Sequence, residues 1–276
     1  MSFTVEDIKT LRDKTGAGMM ACKEALAASG GSIEAAVEYL RKKGVATAEK
    51  KAGRATGDGA VESAIAPDRK SGAIIEVNCE TDFVAKTDQF KALAASLAGW
   101  ALKEPDGEIP ADRLPEDRQS AIKEAIAKMG ENIKFRRAAR LSLGEGTVES
   151  YIHLGGKMGV LIKVEGEGGP ELQALAKELA MQVAAASPLY VTKDQVPAEA
   201  VDKEKDIYRE QVRGSGKPEK VVENIVAGKM KKYYSEICLM EQAYIKDPAK
   251  TVEAAAREIY KGKLGRIEFV RYRLGE

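Results

Sequence analysis

"GDGAVESAIAPDRKSGAIIEV" (residues 57–77) and "GEGTVESYIHLGGKMGVLIKV" (residues 144–164) align without a gap, and ten of the twenty-one positions are identical. A match of that quality inside one chain marks a supersecondary unit used twice. Each copy reads as a strand, a turn and a second strand. Each is followed by a helical run, "FKALAASLAGWAL" in the first copy and "LQALAKELAMQVA" in the second. The expectation is α+β, with duplicated core subdomains, each a β-hairpin plus a helix. In the second strand of the first copy Ile75, Val77 and Cys79 alternate onto one face. That places Cys79 in the core and argues against a reactive thiol.

The copies differ in the connection from strand to helix. The first spends "NCETDFVAKTDQ" (residues 78–89) there and the second only "EGEGGPE" (residues 165–171). "TDFVA" therefore has no counterpart in the repeat unit, and the duplicated fold does not call for it. Pattern alone leaves two roles for Phe83: a side chain displayed to a partner, or a plug between the subdomains.

Upstream of the repeat, Val5, Ile8 and Leu11, then Met19, Cys22 and Leu26, then Ile33, Val37 and Leu40 recur at helical spacing, interrupted at "TGAG" and "SGGS". Residues 1–44 are expected to form a three-helix domain, with Ser32 capping the third helix and Gly16 and Gly30 as left-handed stops. Residues 45–56 read as a basic linker or frayed helix. The core subdomains then cover residues 57–140 and 141–276. The second carries an insertion at about 197–237, read as an antiparallel helical hairpin whose narrow seam sets Val201, Tyr208 and Val212 against Val221, Ile225 and Met230. "GRIEFVRYRLGE" at the end alternates like a terminal strand.

The chain has 276 residues, 44 Lys and Arg against 43 Asp and Glu, and 44% hydrophobic residues. It thus has the size of a modular soluble protein, with no net field to draw it to nucleic acid or an anionic membrane. "MSFTVEDIK" lacks a signal-peptide core, and the longest apolar stretch is too short for a membrane span, so a cytoplasmic protein without membrane contact is expected. Cys22, Cys79 and Cys238 are odd in number and far apart, which signals neither disulfides nor zinc. A single histidine, His153, offers little for acid–base catalysis, so no enzyme is expected. The Gly clusters lack the spacing that cradles phosphate, and Asp82 with Asp88 is too few ligands for a metal, so neither direct nucleotide binding nor a cofactor is expected. Two classes remain. A nucleic-acid binder would use Arg41, Lys42, Lys43, Lys50, Lys51 and Arg54; a protein-binding factor would use several separated surfaces. No aromatic is interleaved with the cations to stack a base, which favours the protein binder.

"LRDKTGAGMMACKEAL", "VNCETDFVAKTDQF", the duplicated hairpin, "SGKPEKVVENIVAGKMKKY" and "DPAKTV", in this order along essentially the whole chain, resemble bacterial translation elongation factor Ts. The resemblance implies a ubiquitin-associated-like (UBA-like) N-terminal domain, two related core subdomains and a coiled-coil hairpin arm. It implies guanine nucleotide exchange on elongation factor Tu, with release of GDP. The box residues Thr81, Asp82, Phe83 and Val84 would press on the partner's G domain and loosen its magnesium site. His153 would lie at the same surface, and Arg12, Met19, Met20 and Lys23 would touch another G-domain helix. Many members of the family continue into a further helix that also contacts the partner, whereas this sequence ends at Leu274, Gly275 and Glu276, which leaves that contact open. The alternative is an RNA- or ribosome-associated binding protein.

Overall fold

The computed structural model describes residues 3–213 and 218–276. Its first three helices are α1 (Val5–Thr15), α2 (Met19–Ala28) and α3 (Ile33–Lys51). Their ends follow local chemistry. Thr4 and Asp7 form a capping box, Gly16 ends α1 at φ 65°, and the Ala35 N–H donates to Ser32 Oγ at 3.3 Å. Gly30, at φ 60°, turns the chain out of α2. Leu11, Cys22, Ala25, Leu26 and Ala36 make the small core. Two residues of the expected apolar stripes depart from it: Val5 and Met19 are 70% and 55% exposed. Both are the first residues of their helices.

The repeat folds as two superposable hairpins. Strand β1 (Asp58–Ile65) pairs antiparallel with β2 (Ser71–Cys79), and residue-for-residue equivalents pair later in the chain. Ala60 faces Val77 as Thr147 faces Val164, and Ile65 faces Gly72 as Ile152 faces Gly159. After β2 come a single turn α4 (Asp82–Ala85), then α5 (Asp88–Ala101), β3 (Gly107–Ile109), α6 (Glu116–Met129) and β4 (Ile133–Ser142). The first sheet has the order β1-β2-β4-β3. Then follow β5 (Thr147–His153), β6 (Met158–Val164), α7 (Pro170–Ala186), the helices α8 (Ala198–Arg213) and α9 (Glu219–Ile237), the short pair β7 (Ala243–Tyr244) and β8 (Asp247–Thr251), α10 (Val252–Ile259) and β9 (Ile267–Arg273). The terminal strand β9 returns to β6, giving the second sheet β5-β6-β9. It occupies the place that β4 holds beside β2.

The two sheets pack face to face. Val61, Ile74 and Leu141 meet Val148, Leu161 and Tyr272 in one apolar layer. Equivalent serines meet across it, with Ser63 Oγ and Ser150 Oγ 3.0 Å apart. Gly72 and Gly159 are the tight points. A Cβ on Gly72 would stand 2.8 Å from side-chain atoms of both Leu161 and Val148, and one on Gly159 would stand 2.5 Å from Val61. The outer faces are covered by helices. Phe90, Leu93 and Leu97 of α5 close over Ala73, Ile75, Val77 and Cys79, while Leu172, Leu175, Leu179 and Val183 of α7 close over Val160, Ile162 and Val164. One cross-strand ion pair is kept with its signs reversed between the copies. Fully buried Glu76 lies 3.1 Å from Arg136 and 2.7 Å from Arg137, both reached because β4 bulges there, whereas Lys163 lies 3.0 Å from Glu268.

Helix α3 runs through residues 45–51, the first part of the segment read as linker or frayed helix, because α6 gives it a surface to bury. Ala48 joins the core of the first sheet, and Gly44 comes so close to α6 that a Cβ would be 3.2 Å from that of Ala127. Helices α8 and α9 lie against each other with Val212, Val226 and Met230 buried. Val221, placed on the seam by the sequence reading, is 41% exposed. The i, i+4 row through Val226 and Met230 forms the contact instead. The connection "RGSG" falls largely in 214–217, outside the described residues.

Candidate functional site

The box follows directly from β2, a strand buried on both faces, so its starting point is rigid. Thr81 caps the single turn α4, with the Val84 N–H donating to Thr81 Oγ1 at 3.4 Å, and Thr87 caps α5 by accepting the Phe90 N–H at 3.2 Å. Between the caps, Val84 and Ala85 are half-buried against the first core, and Phe83 points away at 79% exposure. No other large hydrophobic side chain among the described residues is as exposed. Phe83 is therefore displayed and does not plug a gap between the subdomains. Asp82, half-buried beside it, lies 2.6 Å from the ammonium group of Lys86. The hydrogen bond from Lys86 holds the Asp82 carboxyl below the usual carboxylate range, with a smaller contribution from the charge of Lys157.

Lys157 belongs to the other copy and shows what lies next to the box. The turn from β5 to β6 leans on β1: Gly156 adopts φ 92°, with its Cβ position 3.2 Å from Ala60, and Lys157 Nζ is 3.7 Å from Asp58. His153 starts that turn, half-buried, with its Nδ1 2.8 Å from the Tyr151 hydroxyl. The duplicated fold thus brings the insertion unique to copy one and the hairpin end of copy two against the same strand. Cys79 lies beneath, fully buried, with its Sγ–H donating to the Thr81 carbonyl at 3.1 Å. Burial, then the nearby Glu131 and Asp58 charges, push the Cys79 thiol up to about 12, which keeps it protonated and unreactive near neutrality.

Three residues that the sequence reading did not single out hold the box. Glu131 accepts the N–H groups of Glu80 and Thr81 at 3.1 and 3.0 Å on Oε2 and the Thr81 hydroxyl at 2.6 Å on Oε1. Glu80 in turn accepts the Asn132 N–H at 2.7 Å. Buried Asn132 donates its side-chain amide to the carbonyls of Ala52 and Arg54. The available signal was "GEN" directly after a helix, where Gly130 takes φ 77° as the stop and the two polar residues precede a strand.

In the N-terminal helices Arg12, Met19, Met20 and Lys23 are all exposed, Met20 by 75%. Met19 and Met20 open α2 directly after Gly18, so both project beside the α1–α2 turn. They lie on α1 and α2, whereas the box lies between β2 and α5. The basic run does not form a free cationic face. Lys42 and Lys43 pair with Glu38 and Glu24 at 2.8 and 2.6 Å, Arg41 and Arg54 approach Glu124 and Glu80 at 3.9 and 3.5 Å, and Lys51 is bonded to the Gly130 carbonyl. Among the described residues no group of three His, Cys, Asp or Glu could hold a metal ion, and no helix is long and apolar enough to cross a membrane.

The family model described as "Elongation factor TS" matches residues 80–276. The chain is 46% identical to "Elongation factor Ts" of Halothermothrix orenii over 284 aligned positions, which cover 100% of this chain and 93% of that one. It is 46% identical to the protein of the same name from Chlorobaculum parvum, with 99% of each chain covered. Against that of Clostridium botulinum the identity is 45%, over 99% of this chain and 93% of the relative.

Proposed function

The chain belongs to the elongation factor Ts family, and from that premise we propose that it is a guanine nucleotide exchange factor that binds elongation factor Tu and promotes release of GDP. The observation that carries the reading is Phe83, an aromatic ring exposed by 79% on a turn capped at both ends and rooted in a buried strand. Such a ring loses little conformational entropy on docking and buries a large apolar area. In this reading Phe83 and Asp82 enter between helices of the partner's G domain, with Thr81 and Val84 supporting them and His153 at the edge of the same contact. Magnesium and the phosphate loop compensate the charge of bound GDP, so a wedge that displaces either lowers its affinity. Reciprocity requires GDP to weaken binding of this chain by the same factor.

Arg12, Met19, Met20 and Lys23 form the second contact, with exposed thioethers able to adapt to an apolar partner surface. We read the three N-terminal helices as UBA-like and the α8–α9 hairpin as the coiled-coil arm of the family. The protein works as a cytoplasmic translation factor; it binds no nucleotide itself and performs no covalent chemistry. The engaged state of the basic run, with five of its six cations held by carboxylates or a carbonyl, favours this reading over an RNA binder. The test is release of labelled GDP from purified elongation factor Tu. Acceleration at micromolar concentrations of this chain is expected, and no acceleration would overturn the reading.

A further inference from the structure

Phe83 is exposed, so no packing around its ring sets its direction. The direction comes from the turn that carries it, and one side of that turn is held by a single carboxylate. Glu131 receives three hydrogen bonds from Glu80 and Thr81, at 3.1, 3.0 and 2.6 Å. The Thr81 hydroxyl gives its proton to Glu131 and keeps a lone pair for the Val84 N–H, so the group that caps α4 is the group that Glu131 fixes. Hydrogen bonds to a charged acceptor are about twice as strong as neutral ones, and three on one carboxylate leave the backbone at residues 80–81 a single orientation. Phe83 follows two residues later.

We infer that Glu131 is a positioning residue for exchange: it aims Phe83 from outside the contact surface, through Thr81. The inference rests on the reading of Phe83 as the wedge. The segment has a second arm. Asn132 donates its backbone N–H to Glu80 and its side-chain amide to the carbonyls of Ala52 and Arg54, at 3.3 and 2.8 Å, just beyond the end of α3. The same three residues, Gly130 to Asn132, thereby tie the box to the segment that carries the N-terminal helices. This link adds to the packing of α3 on α6.

The experiment compares the full chain with Glu131→Gln, which keeps the side-chain volume but offers one neutral acceptor in place of two charged ones. Amide hydrogen exchange by NMR, a melting curve, and GDP release from elongation factor Tu at saturating factor are measured on each. Protection of the Glu80 and Thr81 amides is expected to fall at least about tenfold, and stimulated release by about ten- to a hundredfold, with the melting temperature within a few degrees of the parent. In a Phe83→Ala background the same substitution is expected to change release by less than about twofold, because it acts through the ring. A purely structural role would instead lower the melting temperature and cost the same factor in both backgrounds. That result, unchanged amide protection, or unchanged release from the single variant overturns the inference. If Glu131→Gln does not fold, Thr81→Val removes the hydroxyl at constant shape and must lose release in the parent chain while changing it by less than about twofold in the Phe83→Ala background. If the parent chain itself fails to release GDP, the functional reading falls, and the amide protection still reports whether Glu131 orders the turn.

Discussion

Phe83 concentrates the functional argument in one side chain. Full burial of a Phe ring is worth about 2–3 kcal/mol, and about 1.4 kcal/mol is tenfold in rate or affinity. Phe83→Ala should therefore reduce stimulated GDP release by up to about thirty- to a hundredfold, while a ring 79% exposed in the free protein contributes little to its melting temperature. A melting temperature many degrees lower would show that the ring is core packing. Asp82→Ala should cost less than the ring, and the double variant less than the product of the two, because neighbours in one contact are coupled. The Asp82 carboxyl is held below its ordinary value of 3.8, so it stays charged throughout the neutral range, and its contribution disappears only as the pH falls through that lowered value. Cys79 behaves in the opposite sense. With its thiol raised from 9.0 to about 12, the stability it contributes is fully present below pH 9.0 and is lost as the pH rises toward 12. Iodoacetamide at pH 8 should leave Cys79 unmodified in the native chain and label it after unfolding, as read by mass spectrometry.

At the scale of elements, the box is an insertion that the fold has absorbed. It is absent from copy two, yet Val84 and Ala85 pack on the core and Thr87 caps α5. Shortening residues 80–89 toward the length of copy two should abolish exchange and also lower stability by about 1 kcal/mol or more, the usual cost of a lost cap. Substitutions at Phe83 separate the two effects, and a deletion cannot. The sheet-to-sheet layer offers a cleaner test of the duplication. Gly72→Ala and Gly159→Ala each drive a methyl group into the side chains of the opposing copy, at 2.8 and 2.5 Å. Each should destabilise by about 1–3 kcal/mol in chemical denaturation, to a similar extent, because the two sites are equivalent under the repeat. A cost at only one of them would show that the two faces relax independently.

For the molecule as a whole, the N-terminal helices and the core are joined by more than chain. Ala48 is buried with the first core, Gly44 touches Ala127, and Lys51 bonds to the Gly130 carbonyl. Truncation at residue 44 cuts α3 in the middle, whereas truncation after Gly53 removes the helix whole; both uncover the face of α6 that α3 packs on. The second should weaken binding to elongation factor Tu in a calorimetric titration while leaving a cooperative unfolding transition for the core. Unchanged binding would remove Met19 and Met20 from the contact.

Local and periodic features were legible in the sequence, because the forces behind them act within a few residues. The caps at Ser32 and Gly16, the β-hairpin in each copy and the face of β2 that carries Ile75, Val77 and Cys79 depend on bonds between near neighbours and on period-two alternation. The ambiguity at Phe83 belonged to another level: whether an aromatic ring plugs a gap or stands in water depends on which surfaces the rest of the fold has already closed. The same holds for Val5, Met19 and Val221, whose spacing suits a buried stripe but which no neighbour covers. Glu131 and Ser150 find their partners at sequence separations of 50 and 87 residues, and no local pattern encodes such a meeting. The sequence by itself determined two copies of one unit and an insertion in the first. Only tertiary packing, by choosing which faces exclude water, turned that insertion outward and set a distant carboxylate beneath it.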